Sequence, residues 1–249
     1  MTDRDWKAEY ENRVAWIRSL VEESHVRGIV FGNSGGKDSA LVGILCKAAC
    51  ADTVGILMPC ASRRNFGVDA ADGRELAERF GIETRLIDLT EVRERELEAL
   101  SGITELNDAA VTNIAPRLRM TTLYAVAAAE NRLVAGTGNR SEIHMGYFTK
   151  WGDGASDFNP ISDLTVREVF DFLKFLGAPQ SILQKEPSAG LFDGQTDEQE
   201  MGVSYRAIDD WLLCGRAEEE DLAVIDRYHR RSAHKRRPIA VYRQTEEKE

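Results

Sequence analysis

The sequence predicts an α/β fold: a three-layer α/β/α arrangement around a parallel, Rossmann-like sheet of about five strands, with additional C-terminal helices. Along the first half of the chain, short apolar runs alternate with longer segments of helical periodicity, which is typical of a parallel sheet covered on both faces. The clearest apolar run, 28–32, leads directly into a glycine turn and the start of a helix. Ligand sites of such sheets lie beyond the carboxyl ends of the strands, so we expect the functional residues there.

The elements of the first half follow from periodicity and from the residues that start and end helices. Apolar residues between Trp6 and Val21 have the spacing of an amphipathic helix. Gly81 is expected to end the helix predicted over 70–80. The predicted strands are 28–32, 53–58, 82–89 and 132–136, and the other predicted helices are one that begins near Asp38, 91–100 and about 112–131.

The second half has a different organisation. Residues 150–163 and 185–202 have little periodicity, which indicates two ordered functional loops. Since no repeat, low-complexity tract or linker divides the chain, we expect 1–249 to form a single domain. The remaining predicted elements are helices over 166–176, 203–214 and 218–234 and a short strand over 238–242.

The glycine turn at Ser34–Ser39 reads Ser-Gly-Gly-Lys-Asp-Ser. Two adjacent glycines allow backbone N–H groups to surround an anion, and the helix N-terminus adds partial positive charge, so the turn favours a polyphosphate. Asp38 offers a hard oxygen ligand for Mg²⁺. Because an acid follows the lysine, this is not a Walker A loop. The pattern resembles the pyrophosphate loop of the ATP pyrophosphatases, and the alternative is a tightly packed turn that binds nothing.

Composition limits the partners. Acidic residues outnumber basic ones 42 to 32, which gives a net charge of −10 and a pI near 5.1. Such a surface repels nucleic acid and anionic membranes, apart from the one basic run at 234–237. The four cysteines form no Cys-X-X-Cys pair, and the N-terminus is too polar for a signal peptide. We therefore expect a cytoplasmic protein with neither a nucleic-acid nor a membrane partner.

Four later motifs narrow the resemblance, which covers most of the chain. They are Gly-Thr-Gly-Asn-Arg-Ser-Glu at 136–142, Gly-Tyr-Phe-Thr-Lys-Trp-Gly-Asp-Gly at 146–154, Pro-Ser-Ala-Gly-Leu at 187–191 and Gly-Gln-Thr-Asp-Glu at 194–198. In this order and spacing they resemble the ammonia-dependent NAD synthetases. The resemblance implies an enzyme that makes NAD from deamido-NAD, ATP and ammonia through an adenylated carboxylate, and that releases AMP and pyrophosphate.

The resemblance also implies roles for individual residues. Asp38 and Glu142 match the two carboxylates that hold Mg²⁺, although Glu142 would otherwise be an ordinary acid at a helix start. For the dinucleotide the matching residues are Arg117, Lys150, Asp157, His234 and Lys235; the alternatives are solvated side chains and a salt-bridged loop. The residues that match ATP contacts are Gly32, Asn33, Ser34, Gly35, Gly36, Lys37, Asp38, Ser39, Thr137 and Ser188.

Two segments depart from the family pattern. Val166 occupies the position of a phosphate-binding lysine, and Arg167 follows it. One residue turns about 100° around a helix, so Arg167 replaces that ATP contact only if the backbone shifts. The segment Met58-Pro59-Cys60 with Arg63 and Arg64 also differs, which affects the expected contacts to adenine.

The resemblance further implies a homodimer, with the helix 112–131 as the expected interface, and ammonia rather than glutamine as the nitrogen source. Two other functions stay open. One is a tRNA-modifying ATP pyrophosphatase of the thiolase or lysidine-forming type, which the acidic charge disfavours. The other is a non-catalytic adenine-nucleotide sensor, which needs neither Glu142 nor an ordered second loop.

Overall fold

The centre of the molecule is a parallel sheet of four strands in the order β3-β2-β1-β4. The computed structural model describes residues 4–60, 65–185 and 197–242. The strands are β1 (Gly28–Gly32), β2 (Thr53–Leu57), β3 (Glu83–Leu86) and β4 (Arg132–Ala135). The predicted α/β class and parallel sheet are thereby confirmed, and the strand count is one lower than expected within the described residues.

The missing strand is the one expected over 238–242, and that prediction is wrong. These residues have no regular structure, and Ile239, Val241 and Tyr242 are 68%, 73% and 89% exposed. An apolar run becomes a strand only when a neighbouring backbone pairs with it, and no backbone among the described residues pairs with this one. The strand expected over 82–89 is also shorter, because its pairing with β2 runs from Val54↔Glu83 to Leu57↔Leu86.

Helices cover both faces of the sheet, as three layers require. Successive residues of β1 alternate between the two hydrophobic cores: Ile29 and Phe31 enter one, and Val30 enters the other. The helices are α1 (Trp6–Glu23), α2 (Lys37–Ala49), α3 (Ala70–Phe80), α4 (Thr90–Ser101), α5 (Asp108–Glu130), α6 (Arg140–Met145), α7 (Val166–Leu176), α8 (Gln180–Leu183), α9 (Asp197–Met201), α10 (Tyr205–Cys214), α11 (Glu219–Arg231) and α12 (Ala233–Arg236), and Asn65–Asp69 form a π-helical turn before α3.

Different helices cover the two faces of the sheet. α1, α2, α3 and α7 pack with Ile29 and Phe31 on one face, whereas α5 covers β1 and β4 on the other. α3 and α7 begin and end where the sequence predicts, and each ends at a glycine of positive φ, Gly81 and Gly177.

The C-terminal helices form a third core against α6 and α7. Met145 of α6, Val166 of α7, Ile208 of α10 and Ile225 of α11 are all buried there. The helix expected over 218–234 divides at Ser232, whose hydroxyl donates to the carbonyls of Tyr228 and Met145. This division lets α11 lie along α6 and turns α12 toward the same cavity.

The chain order of the strands creates the opening at the carboxyl edge. The chain runs from β1 outward through β2 and β3, and then returns to the other side of β1 as β4. Parallel sheets bind ligands where the strand order reverses in this way. Here that point lies between β1 and β4, after Gly32 and Ala135.

Two further observations concern the chain as a whole. All four cysteines carry free thiols, with Cys46 and Cys60 buried. Of the helices in the described ranges, none is both long and apolar enough to pass through a lipid bilayer.

Candidate active site

A cavity of about 870 Å³ opens at the reversal point between β1 and β4. Its walls come from the loop after β1, the segment after β4, helices α5 and α6, and the C-terminal helices. Gly136 and Thr137 reach it because β4 pairs with β1 in the register Phe31↔Ala135. The topology therefore brings the two glycine-containing motifs of the sequence to one place.

The loop after β1 has the backbone shape of an anion site. Gly35 has φ +68°, and a Cβ atom there would lie 2.1 Å from the carbonyl oxygen of Asp69, so no other residue fits. Gly36 is the N-cap of α2 and gives it no side-chain cap, which leaves the first N–H groups of the helix for a ligand. The Ser34 hydroxyl accepts the Gly36 N–H at 3.3 Å and lies 3.0 Å from the Ser39 hydroxyl.

Asn33 supports this loop from below. Its side chain is buried and donates to the carbonyl of Gly73 in α3 at 2.9 Å. Its amide oxygen accepts the Gly35 N–H at 3.4 Å. Both contacts are internal, so Asn33 holds the loop in shape as well as bordering the cavity.

Asp38 and Glu142 approach each other from α2 and α6. The Lys37 ammonium lies 2.8 Å from Asp38 Oδ2 and 3.9 Å from Glu142 Oε1. Asn139 donates its side-chain amide to Asp38 Oδ1 at 3.0 Å and its backbone N–H to Glu142 Oε2 at 3.1 Å. Each carboxylate is thereby held in a fixed orientation.

The charges in this cluster are strongly coupled. Burial lowers the pKa of Lys37, but Asp38 and Glu142 outweigh it, so that its pKa is raised and the ammonium stays protonated. Burial, and then the charge of Asp38, raises the pKa of Glu142 well above its ordinary value. Burial also raises the pKa of Tyr205, whose hydroxyl donates to Asp197 at 3.0 Å beside the same cluster. Such a concentration of acids favours an added cation.

The donor set fits Mg²⁺ bound together with a nucleotide. Mg²⁺ is usually held by one or two carboxylates, by waters and by substrate phosphates. Asp38 and Glu142 supply two carboxylates next to a loop shaped for phosphate. Within the described residues no group of three or more acidic, histidine or cysteine side chains is arranged to hold a metal by itself. Phosphate oxygens of the ligand, together with water, would complete the coordination.

The structure separates the remaining predicted residues into two groups. His234 and Lys235 border the cavity, and the Lys235 ammonium donates to the carbonyls of Gly146 and Phe148 at 2.8 and 2.5 Å. Gly32, Asn33, Ser34, Gly36, Lys37, Asp38, Ser39, Thr137 and Glu142 border it as well.

The second group lies outside the cavity wall. Arg117 donates to the Lys150 carbonyl at 3.4 Å, and the Lys150 ammonium donates to the His234 carbonyl at 2.8 Å. Asp157 accepts the Tyr124 hydroxyl at 3.1 Å and the Val134 N–H at 2.7 Å, so the alternative of a salt bridge to Lys150 is not formed.

The backbone shift that would carry Arg167 into the cavity does not occur. Its guanidinium forms an ion pair with Asp210 at 2.6 Å, and Val166 packs in the third core. Ser188, Arg63 and Arg64 lie outside the described residues.

The sequence does not identify several residues at the site. Lys185 and Asp197 border the cavity, Lys185 beside the loop after β1 and Asp197 near Lys37. Asn139 does not border the cavity, but it orients both carboxylates. Asp197 belongs to the Gly-Gln-Thr-Asp-Glu motif at 194–198 and Lys185 lies two residues before the motif at 187–191, and these positions are the signal for them. Arg227 and Arg231 precede Lys235 at intervals of four residues, and that spacing was their signal.

A family profile, sequence relatives and solved structures of known proteins all match this chain. The NAD synthase family profile matches residues 9–248. The NH(3)-dependent NAD(+) synthetase of Carboxydothermus hydrogenoformans is 44% identical over 94% of this chain and 96% of its own length. A structure of NMN synthetase from Francisella tularensis superimposes with a TM-score of 0.91 at 38% identity, covering 96% of this chain and 99% of that one.

A second structure is less similar in shape. The NH3-dependent NAD synthetase from Campylobacter jejuni, solved with a nitrate ion, has a TM-score of 0.78 at 28% identity, covering 96% of this chain and 100% of that one. Together with the phosphate-shaped loop and the paired carboxylates, these matches establish that the chain belongs to the NAD synthase family.

Proposed function

We propose that the protein amidates the carboxylate of a nicotinate nucleotide with ammonia, at the expense of ATP, and that deamido-NAD is its substrate and NAD its product. The observation that carries the proposal is the convergence of Asp38 and Glu142 on Lys37 beside a loop shaped for phosphate. The family match and the NAD synthetase relatives support it.

The chemistry requires such a site. The substrate carboxylate oxygen attacks the α-phosphorus of ATP, the α–β bridging bond breaks, and pyrophosphate leaves. Ammonia then attacks the acyl carbon, AMP leaves with the former carboxylate oxygen, and the new amide loses a proton. The first step brings several anions together, so nearby positive charge is needed before attack.

Each part of the site has a place in this reaction. The N–H groups at the start of α2 bind the phosphates, and Lys37 places an ammonium beside them. Asp38 and Glu142 would hold Mg²⁺, which when bound polarises phosphate oxygens as a Lewis acid. Thr137 borders the same space from the end of β4.

One assay tests the proposal. Purified protein is incubated with ATP, Mg²⁺, ammonium and deamido-NAD, and NAD, AMP and pyrophosphate are quantified. We expect the three products in equal amounts, and no turnover when ammonia-free glutamine replaces ammonium. ATP binding without amide formation would instead support the nucleotide sensor.

A second candidate substrate is nicotinate mononucleotide, which the same reaction would convert to nicotinamide mononucleotide. The observation that favours it is the higher TM-score with the Francisella NMN synthetase, 0.91 against 0.78 for the Campylobacter NAD synthetase. Moreover, Arg117, Lys150 and Asp157, which were expected to hold the dinucleotide, do not border the cavity. The ratio of kcat/KM for the two nucleotides decides between them.

We further propose that the protein is a homodimer that uses α5. Leu123 of this helix is buried against the sheet, whereas Tyr124 is 37% exposed and Ile114, Leu118 and Val126 are only partly covered. Light scattering should give twice the 27.8 kDa of one chain at assay concentration. A fully active species of single-chain mass would contradict the dimer.

A further inference from the structure

Three basic side chains form a row along the C-terminal wall of the cavity. Arg227 and Arg231 lie on α11, Lys235 lies on α12, and the three follow one another at intervals of four residues. All three border the cavity. Arg227 and Arg231 are also exposed, so they stand at its mouth.

This row differs from two other cations of the same cavity. Lys37 is paired with Asp38, and Lys185 lies 2.7 Å from both Asp69 and Asp72. Throughout the described residues, neither Arg227 nor Arg231 forms an ion pair or donates a hydrogen bond to another residue. The guanidinium of Arg227 lies over the ring of the adjacent Tyr228, 5.8 Å from the ring centroid.

Keeping these charges unpaired has a local cost. Like charges four residues apart on a helix repel each other and destabilise it. The chain has 42 acidic residues, yet none of the described acids neutralises Arg227 or Arg231. An unfavourable local arrangement at the mouth of a ligand cavity is expected where a ligand supplies the missing charge.

The position of the row indicates which anion it binds. The triphosphate of ATP has its own site in the loop after β1, where N–H groups of α2 and Lys37 provide the binding groups. The row belongs to a different wall, built from the C-terminal helices. α11 packs there against α6, which carries Glu142. A second ligand whose carboxylate reaches the phosphate site beside Glu142 can thus extend its own phosphate along α11 toward the mouth.

We propose that Arg227 and Arg231 bind the phosphate of the nicotinate nucleotide and so select phosphorylated substrates. The inference rests on the proposed amidation of such a nucleotide. The shared chemistry is a phosphate attached to the nicotinate ribose, either the monoester of the mononucleotide or the diphosphate of deamido-NAD. Arginine suits either group because its planar guanidinium can donate two parallel hydrogen bonds to phosphate oxygens.

The test compares Arg227→Gln, Arg231→Gln and the double variant with Arg230→Gln. Arg230 lies on the same helix and is also exposed, but it does not border the cavity. For each protein, kcat/KM is measured with nicotinate mononucleotide, with deamido-NAD and with nicotinate riboside, which has the same carboxylate but no phosphate. The KM for ATP and the thermal midpoint are measured in parallel.

We expect each single variant to lose about tenfold in kcat/KM for the phosphorylated substrate that the enzyme prefers, and the double variant to lose more. The KM for ATP and the activity with nicotinate riboside should stay within about twofold of the wild type, and the thermal midpoint should stay within a few degrees of it. Arg230→Gln should behave as the wild type. The identity of the more affected nucleotide distinguishes the monoester from the diphosphate.

Other outcomes overturn the inference. A parallel rise in the KM for ATP would assign the row to the triphosphate, and variants that match Arg230→Gln would make it a solvated helix face. If the wild type amidates no nicotinate nucleotide, the proposed function fails. Calorimetric binding of nicotinate mononucleotide to the wild type and the double variant then decides the inference separately, and equal or absent binding refutes it.

Discussion

The side-chain amide of Asn139 donates a 3.0 Å hydrogen bond to Asp38 Oδ1, and this bond connects the two motifs that build the site. The same residue caps α6: its amide oxygen accepts the Glu142 N–H, and its own N–H donates to the Glu142 carboxylate. One buried residue therefore orients both carboxylates. Residues that orient metal ligands in this way commonly alter metal affinity or activity 10- to 100-fold when removed.

Replacing Asn139 separates its two tasks. Asn139→Ser keeps a good N-cap but removes the amide that holds Asp38, whereas Asn139→Ala removes both. We expect both variants to lose roughly tenfold in kcat/KM and to need more Mg²⁺. Asn139→Ala should also lose about 1 kcal/mol more in unfolding free energy than Asn139→Ser. Wild-type activity in Asn139→Ser, measured across an Mg²⁺ titration, would show that only the cap matters.

Removing the charge of Asp38 tests its role as a metal ligand. Asp38→Asn is nearly isosteric, so the loop after β1 should keep its shape and the thermal midpoint should change little. Loss of one electrostatic stabiliser should lower kcat by at least about 10²-fold. The measurement is steady-state turnover at saturating ATP over a range of Mg²⁺ concentrations. Full activity of Asp38→Asn at limiting Mg²⁺ would show that Asp38 is not a metal ligand.

The parts of the fold that the sequence predicted well are those with local signals. α3 and α7 were placed residue for residue, since Gly81 and Gly177 end them with positive φ and Thr165 forms a capping box with Glu168. Strand lengths were less predictable because they depend on pairing. The segment 238–242 has a strand-like composition, but it pairs with no strand in the part of the chain that the structure describes.

The residues of the site also differ in how well the sequence identifies them. The loop after β1 and Glu142 could be identified because their chemistry is contained in short motifs. The places of Lys185, Arg227 and Arg231 depend on how α3 and the C-terminal helices pack. The four-residue spacing puts Arg227 and Arg231 on one face of a helix, but it does not show that this face borders the cavity. The same limit applies to Arg167, since only the packed structure reveals its pairing with Asp210.

Lys185 fastens the loop after β1 to α3, which predicts an effect on ATP. Its ammonium lies 3.0 Å from the Gly35 carbonyl and 2.7 Å from each of the Asp69 and Asp72 carboxylates, and all three side chains are largely buried. Lys185→Met would remove the ammonium that both carboxylates contact beside the loop after β1. We expect the KM for ATP to rise about tenfold and stability to fall by about 3 kcal/mol, as when one partner of a buried pair is removed.

A double-mutant cycle provides the control for Lys185. Asp72→Asn removes one of the two acids that contact Lys185, so the double variant should be more stable than the sum of the single changes implies. The unfolding free energies are measured in denaturant, and the KM for ATP is measured for all four proteins. Strictly additive changes in the unfolding free energy and in the KM for ATP would show that Lys185 and Asp72 do not act together.

His144 gives the fold a dependence on pH. Its ring stacks on that of His229 with the centroids 4.2 Å apart, and burial, followed by the charges of His229, Arg236 and Arg140, lowers the pKa of His144 to about 4. In the unfolded chain the pKa is near the ordinary 6.5, so between about pH 6.5 and 4 the unfolded state binds more protons. The contribution of His144 is therefore fully present above pH 6.5 and is lost as the pH falls through this window. Since the side chain is only half-buried, we expect a loss on the order of 1–2 kcal/mol.

The test is denaturant unfolding at closely spaced pH values. Between about pH 6.5 and 4 the unfolding free energy of the wild type should fall with pH, and that of His144→Gln should fall less steeply. Identical slopes in the two proteins would refute the assignment to His144.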